Sequence, residues 1–374
     1  MKATRLHLLS EEKRLLWHLR TKGAMPRTEL ALSMQVSNSA LTKLSHNLIS
    51  LGLVEEREAA GAPARGRPTV PIGISAGGGF AAGATVHKGV LEIALVDFSG
   101  GVIALASEQV GAPDPFEFAA ILEQRLAGLC MRHRLLGMRF LGIGVGVPGP
   151  SMTRAGDRWH TVKELPGWRD VPLGRLLDGA LETTVLLEND AKAAALAEYY
   201  LNGAAGRAST VVVILLGYGI GAGVIEDGRL VKGEFGGAGE IGRLYPGELP
   251  RPSTLDLLSV LREAGCPIES VAHFDELTAG YGAVIDAWID RAAGQLEGLV
   301  NGAIAWFDPD EIVFSSPLPA WVIERLAGRL NALPLRWPDH RQRGRVRVSP
   351  LGGSAIALGA ALLPIHAATA LANR

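Results

Sequence analysis

The sequence predicts an α/β protein in two parts: a mostly helical front end, then a larger body of two similar α/β lobes. Three observations carry that reading. At 374 residues, with 48% hydrophobic and 20% charged residues, the chain exceeds one ordinary domain and can bury a large core. Charge is divided: residues 1–75 hold 11 Lys and Arg against 6 Asp and Glu, the remainder is net acidic, and the whole sums to −1. From about residue 79 the composition turns to Gly, Ala and Val. A strand–turn–strand–turn–strand rhythm at 79–110 then returns at 210–234, the mark of an internal duplication.

In the front end, EEKRLLWHLRTK (11–22) sets Leu15, Leu16 and Leu19 on one helical face, and Gly23 stops the helix. TELALSMQV (28–36) reads as a second helix with Thr28 as its N-cap. SNSALTKLSHNLISLGLVEE (37–56) reads as a third, with Leu41, Leu44, Leu48 and Leu51 buried. Asn38, Ser39, Thr42, Lys43 and His46 then face outward, a short polar row with one cation that suits base edges and phosphates. The tight turn between the second and third helices gives a helix-turn-helix pattern. Leu53–Arg57 and Thr69–Ile74 read as two strands of a wing. At its tip, Arg65-Gly66-Arg67-Pro68 places two guanidinium groups on a thin backbone that could enter a narrow minor groove. Singly, the helices could be a plain bundle and the arginines a solvated loop. Their order and the local positive charge favour a winged helix-turn-helix with DNA as partner.

In the body, each triple of strands is followed by further helices and strands. A helix is expected at 115–135, strands at 139–147 and 183–188, and a helix at 190–202. The second set is a helix at 281–306, a strand at 311–315 and a helix at 319–331. The stretch 352–371, GGSAIALGAALLPIHAATAL, is long enough to span a bilayer. Its Ala and Gly content and the interruptions at Pro364 and His366 make it a buried helix instead. The expected boundaries are 1–78 for the DNA-binding domain, 79–204 for the first lobe (completed by a helix over 354–374) and 205–353 for the second. Two cysteines, Cys130 and Cys266, exclude a disulfide framework and fit a reducing cytoplasm. MKATRLHLLSEEKR carries no signal-peptide pattern, so cytoplasmic location is expected.

Five segments carry a resemblance: LGIGVGVPGP (141–150), LPGWRDVPL (165–173), ENDAKAAALAE (188–198), LGYGIGAGVIEDGRL (216–230) and GGAGEIGR (236–243). With RTELA (27–31) and the wing's Gly-Arg-Pro, they resemble the ROK family of repressors and sugar kinases over almost the whole chain. The resemblance implies a two-lobed actin-like (duplicated ribonuclease H-like) sugar-kinase fold with the ligand between the lobes. It implies that Asn189, Asp190 and Glu240 face a sugar, with Asp190 at the position of the kinases' general base. As residues alone, Asp190 is equally a helix N-cap or first-turn acid, and Glu240 a solvated loop acid.

Departures from the family pattern are as informative. Where the kinases' first hairpin carries an acid and bare glycines, this chain has Thr85, His87 and Lys88. Tyr218 replaces the second hairpin's threonine. Ser315-Ser316-Pro317 stands where a glycine turn meets adenosine. Arg243 replaces the zinc-binding histidine, and LYPGELPRPSTLDLLSV (244–260) has no cysteine, so no metal and no cofactor are expected. Glu164 stands where asparagine is common. Asp256 is either a sugar-contacting acid or a helix-start acid. Arg243 could pair with Glu240 or meet an acidic ligand. The resulting expectation is a sugar-responsive DNA-binding regulator, a repressor, that does not phosphorylate its ligand. It would act as a homo-oligomer (dimer or tetramer) on a DNA operator, with a sugar or sugar derivative as effector and no membrane partner. The alternatives are an active sugar kinase fused to a DNA-binding domain, and a DNA-binding protein whose body only dimerises.

Overall fold

The computed structural model describes residues 1–58, 70–153, 156–245, 247, 250–338 and 345–370. The front end comprises α1 (Ser10–Lys22), β1 (Met25–Pro26), α2 (Arg27–Met34), α3 (Asn38–Ser50), β2 (Val54–Glu56) and β3 (Pro71–Ile74). The three strands form an antiparallel sheet in the order β1-β3-β2. Helix α3 stops earlier than the sequence pattern implies, because Gly52 turns the chain at φ +71° and releases Val54 into β2. Thr28 is not an N-cap: the extended residue before α2 is Pro26, which leaves Thr28 inside the first turn. The wing tip, with Arg65 and Arg67, lies outside the described residues.

The first lobe contains β4 (Phe80–His87), β5 (Val90–Asp97), β6 (Val102–Gln109), α4 (Pro115–Arg132), β7 (Phe140–Val147), α5 (Leu173–Leu181), β8 (Val185–Asn189) and α6 (Asp190–Leu201). The second contains β9 (Thr210–Leu216), β10 (Ile220–Glu226), β11 (Arg229–Leu230), α7 (Thr254–Glu263), α8 (Phe274–Thr278), α9 (Gly282–Phe307), β12 (Glu311–Ser315), α10 (Ala320–Asn331), β13 (Val346–Val348) and α11 (Ala355–Thr369). The sheets run β6-β5-β4-β7-β8 and β11-β10-β9-β12-β13. In each, three antiparallel strands are followed by two parallel ones, so the duplication read in the sequence is a duplication of topology.

The final helix of each lobe covers the other lobe's sheet. Helix α6 follows β8 but packs on β9 and β10; α11 follows β13 but packs on β4, β5 and β7. The two helices lie against each other between the sheets, which requires small residues. A Cβ on Gly359 would fall 1.7 Å from the carbonyl of Ala193, and one on Gly83 2.1 Å from that of Ala357. Pro364 cannot donate to Ala360, four residues earlier. That carbonyl lies where a Cβ on Gly144 of β7 would be, 1.9 Å away. The one helix among the described residues that is long and apolar enough to cross a membrane is therefore this buried α11.

Helices α4 and α5 cover the outer face of the first sheet, and α7, α9 and α10 that of the second. The front end is not held on a free linker. Its core leucines (Leu15, Leu16, Leu30, Leu41, Leu48) share one apolar cluster with Ala94, Val96 and Phe98 of the first lobe and with Leu358 and Leu362 of α11. Arg139, just before β7, donates to the carbonyls of Leu51 at 3.0 Å and Gly78 at 2.8 Å.

Candidate functional site

Strand β8 ends and α6 begins at Asn189-Asp190, in the cleft between the lobes. Asn189 is the N-cap: its Oδ1 accepts from the N–H groups of Ala191 (3.0 Å) and Lys192 (3.3 Å), and its Nδ2 donates to the Gly149 carbonyl (3.1 Å). The Pro-Gly end of β7 and the Glu-Asn-Asp entry of α6 are thus tied to each other. Asp190 is the first-turn acid rather than the cap. Its Oδ1 accepts from Ala191 N at 2.7 Å, and its Oδ2 lies 3.9 Å from His87 Nε2.

Burial raises the Asp190 carboxyl to about 7, and the Glu240 carboxylate nearby pushes the same way. Burial lowers His87 to about 4, so a proton arriving here sits on the carboxyl and not on the ring. His87 Nε2 is buried without a hydrogen-bond partner. Its ring stacks on Tyr218, centroids 5.9 Å apart and planes 23° apart. His87 ends β4 in the first lobe and Tyr218 lies in the β9–β10 turn of the second, so the stack bridges the cleft beside Asp190. The stacked rings and Asp190 together line a cavity of about 800 Å³, which Lys88, Glu92, Arg262 and Pro317 also border. Burial raises Glu92 to about 7 as well.

Glu240 reaches the same neighbourhood, half-buried, and burial raises its carboxyl against the opposing pull of Lys192 and Arg243. Arg243 is exposed and forms no ion pair with Glu240. The larger electrostatic pull on Glu240 comes from Lys192, which sequence reasoning missed. Lys192 is 1% exposed, and its Nζ donates to the Gly236 carbonyl across the cleft. The signal was available: a lone lysine in an alanine-rich buried helix must find acceptors. Glu188, also buried, pairs with Lys232 of the second lobe at 2.8 Å.

Two sequence candidates are spent elsewhere. Glu164 is half-exposed and paired with Lys88 at 2.5 Å, an ion pair that also occupies that cation. Asp256 sits in the first turn of α7, accepting from Trp288 Nε1 (2.6 Å) and Arg291 (2.7 Å), and so clamps α7 to α9. The helix-start reading accounts for it. Asn38, Ser39, Thr42, Lys43 and His46 are all exposed along α3, whose start is capped by Ser37. Thr42 Oγ1 donates back to the Asn38 carbonyl at 2.8 Å. Among the described residues no group of three or more His, Cys, Asp and Glu is placed to hold a metal ion; Cys130 and Cys266 are both buried.

Two duplicated lobes with a polar cleft at a helix N-terminus, carried behind a helix-turn-helix, define a class of protein. The ROK family profile matches residues 79–269, just over half of the chain, and this protein belongs to the ROK family. An uncharacterised protein of Sinorhizobium fredii, y4fQ, is 33% identical over 96% of this chain and 91% of its own length. The DNA-binding transcriptional repressor Mlc of Escherichia coli is 27% identical over 59% of this chain and 54% of its own. A crystal structure of a ROK family transcriptional regulator, described as a homologue of that Mlc protein, shares the fold. It has a TM-score of 0.70 and 21% identity over 96% of both chains. Relatives named glucokinase match as well, so the family likeness spans regulators and kinases.

Proposed function

We propose that this chain is a sugar-responsive, DNA-binding transcriptional regulator, a repressor, whose kinase-like body binds a sugar or sugar derivative without phosphorylating it. The observation that carries the second half is the His87–Tyr218 stack. Phosphoryl transfer needs the attacking hydroxyl, the catalytic carboxylate and the phosphate in line. Here two stacked aromatic rings stand beside Asp190, on the two hairpins that cradle phosphate in the family's kinases, and take up space a phosphate would need. The raised pKa of Asp190 would suit a general base; what argues against catalysis is that His87 and Tyr218 stand where the kinases' phosphate-cradling hairpins are bare or carry a small hydroxyl. Asp190, Glu240 and the remaining Asn189 N–H are left to hydrogen-bond a polyhydroxylated ligand. With Lys192 committed to Gly236 and Lys88 to Glu164, a neutral sugar is favoured, and Arg243 is the cation near Glu240 that a phosphorylated one would have to use.

The exposed face of α3 would meet DNA, in a cytoplasmic homo-oligomer. The test has two arms. A thermal-shift screen of sugars, sugar phosphates and nucleotides should find stabilisation by a sugar and none by ATP. A coupled assay across common hexoses should show no ATP-dependent turnover. Turnover of ~1 s⁻¹ or more, within the ~1–100 s⁻¹ typical of kinases, would establish the kinase reading instead.

A further inference from the structure

Helix α1 touches both lobes. On one side the Arg20 guanidinium donates to the carbonyls of Phe98 (3.0 Å) and Ser99 (3.3 Å) in the β5–β6 turn of the first lobe. The same group lies between two rings, 5.6 Å from the Phe98 centroid and 5.3 Å from that of Tyr200 near the end of α6. On the other side Trp17 presses on the β10–β11 turn of the second lobe. A Cβ on Gly228 would fall 2.7 Å from Trp17 Nε1 and 3.2 Å from the Tyr199 hydroxyl. The carbonyl of Thr21 closes against Gly206, at the entry to β9, where a Cβ would be 2.4 Å away.

We propose that α1 is the sensor through which closure of the two lobes reaches the DNA-contacting helix; this rests on the reading of the front end as DNA-binding. Two of its contacts, on α6 and on the β10–β11 turn, lead back to the candidate site. Helix α6 runs 12 residues from Asp190 to Leu201, about 18 Å at ~1.5 Å per residue. Its first turns carry Asp190 and Lys192; its last carries Tyr199 and Tyr200, against Trp17 and Arg20. The turn under Trp17 leads within four residues to Lys232, which pairs with Glu188, and on to Gly236, held by Lys192. A ligand that draws the Gly236–Glu240 loop onto Asp190 therefore shifts the β10–β11 turn relative to the β5–β6 turn. Helix α1, wedged against both, must follow or tilt. Interfaces this tight switch between discrete arrangements instead of deforming smoothly. Trp17 Nε1 and Arg20 Nε are buried without acceptors in this arrangement, a cost that a shifted seat can relieve. From α1 the movement passes to α3 through their shared core and through Glu12, which accepts from Asn47 of α3.

The test holds the lobes together without requiring the natural effector. Ser151 and Gly236 face each other across the cleft, a Cβ on Gly236 lying 3.0 Å from that of Ser151. Ser151→Cys with Gly236→Cys in the full chain gives a bridge that can be closed or reduced, while Cys130 and Cys266 stay buried; the reduced form carries the same strain from a side chain at Gly236, whose φ is +76°, and is the control. Hydrogen exchange is followed with the bridge closed and open, alone and with Arg20→Lys. A random-sequence duplex reports DNA affinity by fluorescence anisotropy. Closing the bridge should change the protection of residues 15–22 and the duplex Kd by at least ~5-fold, the lower end of ordinary coupling. Arg20→Lys should abolish most of both changes. Unchanged protection of α1 on bridging overturns the proposal, whether or not residues 232–240 respond. A change at α1 with no duplex binding in either state leaves the coupling standing and removes the DNA-binding reading.

Discussion

Replacing Asp190 with Asn should stabilise the folded chain, by an amount that grows with pH. The carboxyl is pushed from 3.8 to about 7 on folding, chiefly by burial. The folded state thus holds a proton that the unfolded state releases, and stability falls as pH rises through that window. At ~1.36 kcal/mol per unit, the ionisable group costs about 1.6 kcal/mol at pH 5 and about 4 kcal/mol at pH 8, and nothing below about 3.8. Asparagine keeps the Oδ1 acceptor for Ala191 N and never ionises, so the variant escapes the cost. The raised Glu92 is present in both proteins and cancels in the difference. Urea unfolding of wild type and Asp190→Asn between pH 5 and 8 measures this directly. The stability gap should widen by between ~1 and ~3 kcal/mol across the range. A gap independent of pH would show that the carboxyl titrates normally and that the cleft is more open to water than its contacts imply.

Gly359→Ala should cost more than ~3 kcal/mol or leave no folded protein, because its Cβ would meet the Ala193 carbonyl at 1.7 Å; circular dichroism melts decide it. Lys192→Met should be less stable relative to wild type at pH 8 than at pH 5, since the ionising carboxyls of Asp190 and Glu240 lose their buried cation while the lysine's own burial cost, which lowers its pKa, is relieved at both pH values; the same urea series reads it. Lys43→Ala should weaken binding to specific and random DNA alike and lower the salt slope by about 1, whereas Asn38→Ala should lower the preference for an operator by ~1–3 kcal/mol; anisotropy at several salt concentrations separates them.

Most elements were legible because local patterns and global packing agree. The two strand triples, α4, α9 and α10 emerged from periodicity, and Asn189-Asp190 from its place between strand and helix. What stayed hidden depended on the third dimension. Strand β13 is three residues long with alternating arginine, and pairs in parallel with β12 across more than thirty residues of sequence. Helix α6 follows the first lobe in sequence, and nothing in its alanines says that it will lie on the second lobe's sheet. His87 and Tyr218 could each be seen as departures from a phosphate-binding pattern. That they would stack on each other needed both hairpins placed face to face. The partners of Glu164 and Asp256 were hidden for a related reason: a carboxylate's use depends on which cation reaches it first, and Lys88 and Arg291 come from distant parts of the chain.

The apolar cluster shared by the front end and the first lobe bears on how such a protein can change over generations. Phe98, Ala94 and Val96 serve the helical front end and the sheet at once. The front end is consequently no detachable cassette: exchanging it wholesale would strip cover from β5 and α11 and leave Arg139 without the Leu51 carbonyl. Innovation is channelled to the two ends instead. The exposed row on α3 and the loops at the cleft mouth can be rewritten residue by residue, and the welded middle is inherited as one piece.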